Sequence, residues 1–254
     1  MQLRARLPRR NPQSFRRVNL ILFEPAELAA PLSRSDPRAA HLLGVLRRPE
    51  GGTFDAGVID GPRGQGTLVQ IGPDALTLRF TWGAAPPAPD PLTLLIGLPR
   101  PQTARDILRE ATSLGVAALH FFRPEKGESS YARSTLWSSG EWRRQLILGA
   151  EQAFATQLPA VTHGQSLAET IASLSRSASR IALDNYESPQ PLSAVETPSP
   201  VVLAFGPERG WSAGERVLLR AQGFAFAHLG PRVLRSETAV IATLAVVRAK
   251  LGLL

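Results

Sequence analysis

The 254-residue chain has no cysteine, so disulfide staples, thiolate metal sites and cysteine nucleophiles are excluded. Histidine is scarce: His41, His120, His163 and His228 stand far apart, without HExxH or any other ligand spacing. No metal site is expected from that pattern. Lysine is almost missing, with only Lys126 and Lys250 among 29 basic residues. Long apolar runs are missing as well. The most apolar stretch, 239–247, is too short to span a bilayer, so no membrane partner is expected. Arginines at 4, 6, 9, 10, 16 and 17 mark a basic extension over 1–17, but no apolar core or small-residue cleavage site makes it a secretory signal. It reads as a mobile arm for nucleic acid, an organellar targeting segment or an extension without a role, and the sequence does not choose.

What is present is a positive balance carried by arginine, with a formal net charge of +8. Arginine presents a planar fork to phosphates and stacks on bases. A polyanionic partner such as RNA and a merely solvated basic surface are equally compatible with this charge.

The clearest boundary is Ala84-Ala-Pro-Pro-Ala-Pro-Asp-Pro91, because four prolines in eight residues cannot enter a ladder. Before it, the pattern predicts a first strand in 18–23 and a short helix after Asp36. Three short strands follow at Thr53–Ile59, Gly66–Ile71 and Ala75–Phe80, with a tight turn at 60–64. Residues 18–82 therefore read as a small β-barrel-like module, 83–91 as a linker and 92–254 as an α/β domain. In that domain 92–98 is an apolar run suited to a buried parallel strand. Ala104, Ile107, Leu108, Ala111 and Leu114 share one helix face ending at Gly115, and 116–122 is the next strand. Residues 123–139 read as a polar loop, 141–157 as a helix with Leu146, Ala150, Ala153 and Phe154 inward, 163–179 as a weak helix and 180–184 as a strand.

Two strand-turn-helix units close the chain: Leu203-Ala-Phe-Gly-Pro-Glu-Arg-Gly-Trp-Ser212 and Leu229-Gly-Pro-Arg-Val-Leu-Arg-Ser-Glu-Thr-Ala239. Ser212 and Glu215 have capping-box spacing, and Ser236 is placed to cap the last helix. That helix is apolar nearly all round, which calls for burial inside the domain or at a dimer interface. Two such loops on one sheet edge make a ligand site. The first has no Gly-Lys-Ser/Thr and is not GxGxxG, so conventional nucleotide motifs are excluded. In the second, Arg232 and Arg235 can hold phosphate or charge developing on a base, and Glu237 is favoured by the helix dipole and placed to pair with Arg235.

These two segments resemble the C-terminal signature of bacterial 16S ribosomal RNA methyltransferases that act on N3 of a uridine, members of the SPOUT superfamily with a deep trefoil knot. The family signature reads Gly-Pro-Glu-Gly-Gly, then Leu-Gly-x-Arg-Ile-Leu-Arg-x-Glu-Thr-Ala. Asn19 to Leu28 and Arg38 to Arg47 resemble the family's PUA-like RNA-binding domain. The resemblance implies an α/β SPOUT trefoil-knot domain with a parallel sheet, preceded by a PUA-like barrel. It implies S-adenosylmethionine beside Leu203, Gly206, Gly210, Leu229, Gly230, Leu234 and Ala239. It also implies a homodimer and action in the cytoplasm on 16S rRNA in the small subunit. For that reaction the charge left on uridine O2 and O4 makes Arg232 the first catalytic candidate and Arg235 the second, with Glu237 a candidate base and Ser236 or solvent the alternative proton relay. His41, Arg47, Arg48, Arg63 in the tight turn and Arg209 are the RNA-contact candidates. The chain departs from the family with Arg209 for glycine, Pro99-Arg100-Pro101 for a Lys-Gly segment, Ser113 for glutamate, and Ala155-Thr156 where an arginine is expected after Glu151-Gln152. A knotted methyltransferase for another RNA base or a ribose 2′-hydroxyl, and an inactive RNA-binding or ribosome-assembly protein, are the competing readings.

Overall fold

The computed structural model describes residues 20–175 and 177–254; the basic extension over 1–17 and the start of the expected first strand lie outside them. The amino-terminal part runs β1 (Ile21–Phe23), β2 (Leu32–Ser33), a short helix α1 (Pro37–Ala40), β3 (Thr53–Val58), β4 (Arg63–Ile71) and β5 (Ala75–Trp82). Asp36 caps α1 through the Arg38 amide at 2.8 Å, and a π-type turn over His41–Val45 continues it. The five strands form one sheet in the order β1-β3-β4-β5-β2, antiparallel except for β1 beside β3. The sheet curls as a half-barrel around Phe23, Leu42, Phe54, Leu68 and Leu76, all buried. Arg63 is the first residue of β4 rather than part of the turn.

The carboxyl-terminal part begins with β6 (Asp90–Gly97), which takes in the last two residues of the expected linker. It continues through α2 (Pro101–Ser113), β7 (Val116–Arg123), α3 (Thr135–Ser138), α4 (Glu141–Gln152), β8 (Ala160–Ser166), α5 (Leu167–Ala172), β9 (Ser179–Leu183), β10 (Val201–Phe205), α6 (Ala213–Ala221), β11 (Ala225–Ala227) and α7 (Ser236–Lys250). The six strands are all parallel, in the order β11-β9-β10-β6-β7-β8. Both faces of this sheet are covered, which is why β6 and β10 read as unbroken apolar runs. Leu94, Ile96, Val201 and Leu203 pack on the face that meets α2 and α7, while Leu95, Val202 and Ala204 pack on the face with Leu167, Ile171, Leu219 and Phe226.

Three expectations are corrected. Residues 123–139 are not simply a polar loop, because Leu136 and Trp137 of α3 are buried against the core. The long middle helix stops at Gln152; Phe154 has φ +57°, outside helical space, and Ala153 is exposed. Most of the expected weak helix at 163–179 is divided between β8 and the short α5, which Ser166 and Glu169 open as a capping box. Leu167 and Ile171 supply the apolar spacing that suggested a helix, but β8 has no fully buried residue and so no apolar run to reveal it.

The two sheets are fastened through α4 and the chain after it. The Leu22 amide donates to Glu151 Oε1 at 3.1 Å, Arg143 pairs with Glu24, and Leu20, Leu22, Ile59 and Ala150 form a shared apolar cluster. Buried Thr156 donates to the Gly61 carbonyl at 2.6 Å.

Candidate functional site

A cavity of about 340 Å³ opens at the carboxyl ends of β9 and β10, between the two glycine-rich loops. Its volume lies within the range of roughly 300–1,000 Å³ usual for small-ligand sites. Leu183, Phe205, Leu229, Leu234 and Ala239 give it apolar walls; Asp184, Asn185, Glu208 and Ser236 give it polar edges.

The first loop is rigid for identifiable reasons. The Trp211 indole is buried, stacks on Phe122 at 5.8 Å and donates to the Leu183 carbonyl at 2.9 Å. The expected capping box is present: Glu215 N donates to Ser212 Oγ at 2.9 Å and Ser212 N to Glu215 Oε2 at 2.8 Å. The loop crosses directly over β6, where a Cβ added at Gly97 would stand 2.7 Å from the Pro207 nitrogen. Only glycine fits beneath that crossing. Gly210 has φ +70° and donates to the Pro207 carbonyl at 2.8 Å, closing the turn in a conformation other residues adopt at a cost.

The second loop is held by fewer bonds. Asn185 Nδ2 donates to the Arg232 carbonyl at 3.2 Å, and Gly230 N to His228 Nδ1 at 3.0 Å. Ser236 does not cap α7. The helix begins at Ser236 with Arg235 in the capping position, and among the described residues no side chain caps it. An uncapped helix start leaves amide donors beside the cavity for a carbonyl or carboxylate.

Of the residues the sequence put beside the cofactor, Gly206, Gly210, Leu229, Leu234 and Ala239 line the cavity. Leu203 does not: it is fully buried in the sheet core, and Phe205, two residues on, reaches the cavity instead. Gly230 is next to a lining residue without being one. Arg232 and Arg235 are exposed on the second loop and neither lines the cavity; Glu237 is half-buried in the first turn of α7. No ion pair joins Arg235 to Glu237 among the described residues, so the expected pairing is corrected. Arg209 is exposed at the cavity rim, and Arg47 and Arg48 are exposed after the π-type turn that holds half-buried His41. Arg63 stands apart from them, donating to the Phe154 carbonyl at 2.7 Å with its guanidinium 5.6 Å from the Phe154 ring. It ties the half-barrel to the α4 end.

The sequence reading missed Asp184, Asn185 and Tyr186. The available signal was their position, since polar residues at the carboxyl end of a parallel strand face the ligand crevice. The Asp184 carboxylate accepts from Arg216 Nε at 2.6 Å and from the Tyr186 amide at 2.8 Å. Burial alone would raise its pKa, but the Arg216 and Tyr186 hydrogen bonds outweigh burial and hold the carboxyl below its ordinary range. This buried charge fixes the turn that carries Asn185 and Tyr186. Among the described residues no group of three potential metal ligands is found, and no helix is long and apolar enough to cross a membrane.

Residues 86–248 match the family described as RNA methyltransferase domain. The chain is 35% identical to ribosomal RNA small subunit methyltransferase E of Treponema pallidum, over 91% of each chain. It is 27% identical to ribosomal RNA small subunit methyltransferase E 1 of Borreliella burgdorferi, over 92% of this chain and 99% of that one. Among solved structures, ribosomal RNA small subunit methyltransferase E from Neisseria gonorrhoeae, bound to S-adenosyl methionine, is similar in fold. The TM-score is 0.74 at 20% identity, covering 91% of this chain and 98% of that one.

Proposed function

The chain belongs to the RNA methyltransferase family, and from that premise we infer that it methylates a base of small-subunit ribosomal RNA, at N3 of a uridine in the 16S molecule, using S-adenosylmethionine. The single observation that carries this reading is the cavity walled by both glycine-rich loops at the carboxyl edge of the parallel sheet. Its residues fit the cofactor's chemistry: apolar walls for the adenosine, close backbone approach at Gly206 and Gly210, and free amide donors at the start of α7. S-adenosylmethionine, when bound, supplies an electrophilic methyl group on its sulfonium.

The chain's task is then mainly alignment and charge. Leu229, Leu234 and Ala239 exclude water from one side, and Gly230 lets the second loop turn beside them. Uridine N3 carries a proton at neutral pH, and its loss spreads negative charge onto O2 and O4. Arg232, with no carboxylate partner among the described residues, is placed on this loop to meet that charge. Glu237 takes the proton, directly or through Ser236, and Arg235 orients the neighbouring RNA. Leu203 acts only as the floor of the sheet beneath the cavity.

The unit over 18–82, whose described residues form the half-barrel, serves to dock the substrate, presenting His41, Arg47 and Arg48 to folded RNA, and 92–254 is the transferase unit. A homodimer is supported by the exposed strip of α7, which includes Ile241 and Ala245, and by Val233, 76% exposed on the second loop. Action on ribosomal subunits places the protein in the cytoplasm.

The test is methyl transfer from labelled S-adenosylmethionine to small subunits lacking the modification, with deproteinised RNA in parallel and the product nucleoside identified by mass. A single 3-methyluridine on assembled subunits is expected. Another modified base or a ribose methyl would reassign the acceptor, and no transfer together with no cofactor binding would leave an RNA-binding protein.

A further inference from the structure

Two more hollows continue the cofactor cavity along the carboxyl edge of the sheet. The nearer, about 190 Å³, shares Pro207, Glu208 and Arg209 with the cavity and adds Arg100, Lys126 and Tyr131. The farther, about 610 Å³, shares Leu98, Gly127 and Glu128 with the nearer one and reaches Arg123, Arg133 and Ser166. The two hollows form one trough leading away from the cofactor cavity. Its cations come from separate places in the chain. Arg100 follows β6, Arg123 ends β7, Arg133 closes the 3-10 turn over Ser129–Arg133, and Arg209 follows β10. Folding brings them to one edge.

These cations stay open to solvent, although the Ser166 hydrogen bonds and then nearby Arg123 hold the Glu169 carboxyl below its ordinary range. Arg123, Arg133 and Arg209 are exposed and have no ion pair among the described residues. Arg100, 69% exposed, leans on Glu208 at 3.6 Å, so one of the three carboxylates in the trough is already neutralised. Glu125 and Glu128 are the others. Lys126 donates to the Trp211 carbonyl at 3.0 Å and thereby ties the trough wall to the cofactor loop. Half-buried Tyr131 adds an aromatic surface in the middle. Exposed arginine forks along a hollow, three of them outside any ion pair among the described residues and with a ring between them, match the needs of a nucleic-acid strand: phosphates for the forks and bases for the ring.

We propose that this trough is the track for the unpaired RNA strand beside the target base, its phosphates held by Arg209, Arg100, Arg133 and Arg123. The proposal rests on the methyltransferase reading and deepens it by naming the form of RNA the site accepts. A base that enters the cavity must leave its stack, and the nucleotides next to it are drawn out with it. The trough receives them as a single strand.

The experiment compares wild-type protein with the R123A/R133A double variant on deproteinised small-subunit ribosomal RNA across a salt series. S-adenosylmethionine binding is measured by calorimetry and folding by thermal melting in parallel. Both arginines are exposed, so matched melting curves and equal cofactor affinity are expected. RNA affinity should drop about tenfold at low salt, and the slope of log affinity against log salt should flatten by about 1.4, roughly 0.7 for each single-strand phosphate contact. A slope identical to wild type overturns the trough while leaving the methyltransferase reading intact. Absence of cofactor binding in the wild type overturns that reading, yet the salt slope still decides the trough. A polyglutamate arm identifies the occupant: loss of polyglutamate binding with RNA affinity unchanged overturns RNA. A variant that melts early is replaced by R123Q/R133Q, for which the same two slopes decide.

Discussion

The two glycine-rich loops look alike in sequence, each a short apolar run, a Gly-Pro turn and a helix start bearing a hydroxyl and a glutamate. In the structure they are fastened differently. The first is anchored by a buried tryptophan, a reciprocal capping box and a close crossing over β6. The second has two hydrogen bonds to its middle, an uncapped helix and exposed arginines at 232 and 235. Similar chemistry at the two helix starts is thus used in opposite ways. The first loop spends its polar groups on itself and can present a fixed wall to the cofactor. The second leaves them open to a substrate that arrives from outside.

Trp211→Ala should have the largest effect in this comparison. Removing a buried indole that stacks and donates costs about 4 kcal/mol in stability, read by denaturant unfolding, and it should weaken cofactor binding as well. An equally large loss for a second-loop residue would contradict the division of labour. Next comes Asp184→Asn, expected to cost about 2 kcal/mol near neutral pH because Arg216, only 12% exposed, loses the nearer of its two carboxylate partners and keeps only Glu187 at 3.4 Å. This pair also sets a pH dependence. Folding lowers the Asp184 pKa, so its contribution is fully present above the unfolded value of about 3.9 and is lost as pH falls through the lower folded value. Unfolding measured from neutral pH down to strong acid should show a shallower acid limb in the variant than in the wild type.

Arg232→Ala tests the open loop. Its expected signature is a drop on the order of 10²-fold in kcat with cofactor affinity and melting temperature unchanged, measured by single-turnover transfer and calorimetry. A change in melting temperature alone would make Arg232 structural. The finest contrast lies between the two serines. Ser212→Ala should destabilise by about 1 kcal/mol through loss of a cap, whereas Ser236→Ala should change stability by less than about 0.5 kcal/mol. Equal values in thermal unfolding would remove the distinction drawn here.

That distinction marks where sequence reasoning reached its limit. Capping-box spacing identified Ser212 and Glu215 because both partners lie within three residues, and the interaction is local. The same logic applied to Ser236 failed, since whether a hydroxyl turns toward its helix depends on the path by which the chain enters. The apolar runs of β6 and β10 were legible because both faces of the sheet are covered. β8 was not, since it lies at the sheet edge with no buried residue and so offers no apolar run. Arg63 misled for a different reason. A basic residue near a turn carries no sign in the sequence of a carbonyl 91 positions away. Asp184 was passed over likewise, its partner Arg216 lying 32 positions further on.

The position of β10 has a consequence for how the protein is made. It is hydrogen-bonded between β6, which starts at Asp90, and β9, which ends at Leu183, yet it is itself completed only at Phe205. During synthesis the half-barrel strands emerge together and can pair at once. β6 emerges long before its central neighbour and must wait with an open, apolar edge. Nearly the whole chain has to leave the ribosome before the large sheet can close, and contacts of such long range form slowly. A nascent chain stalled after β8 should therefore hold a finished half-barrel beside a sticky, half-built enzyme, and that species is the one chaperones would meet.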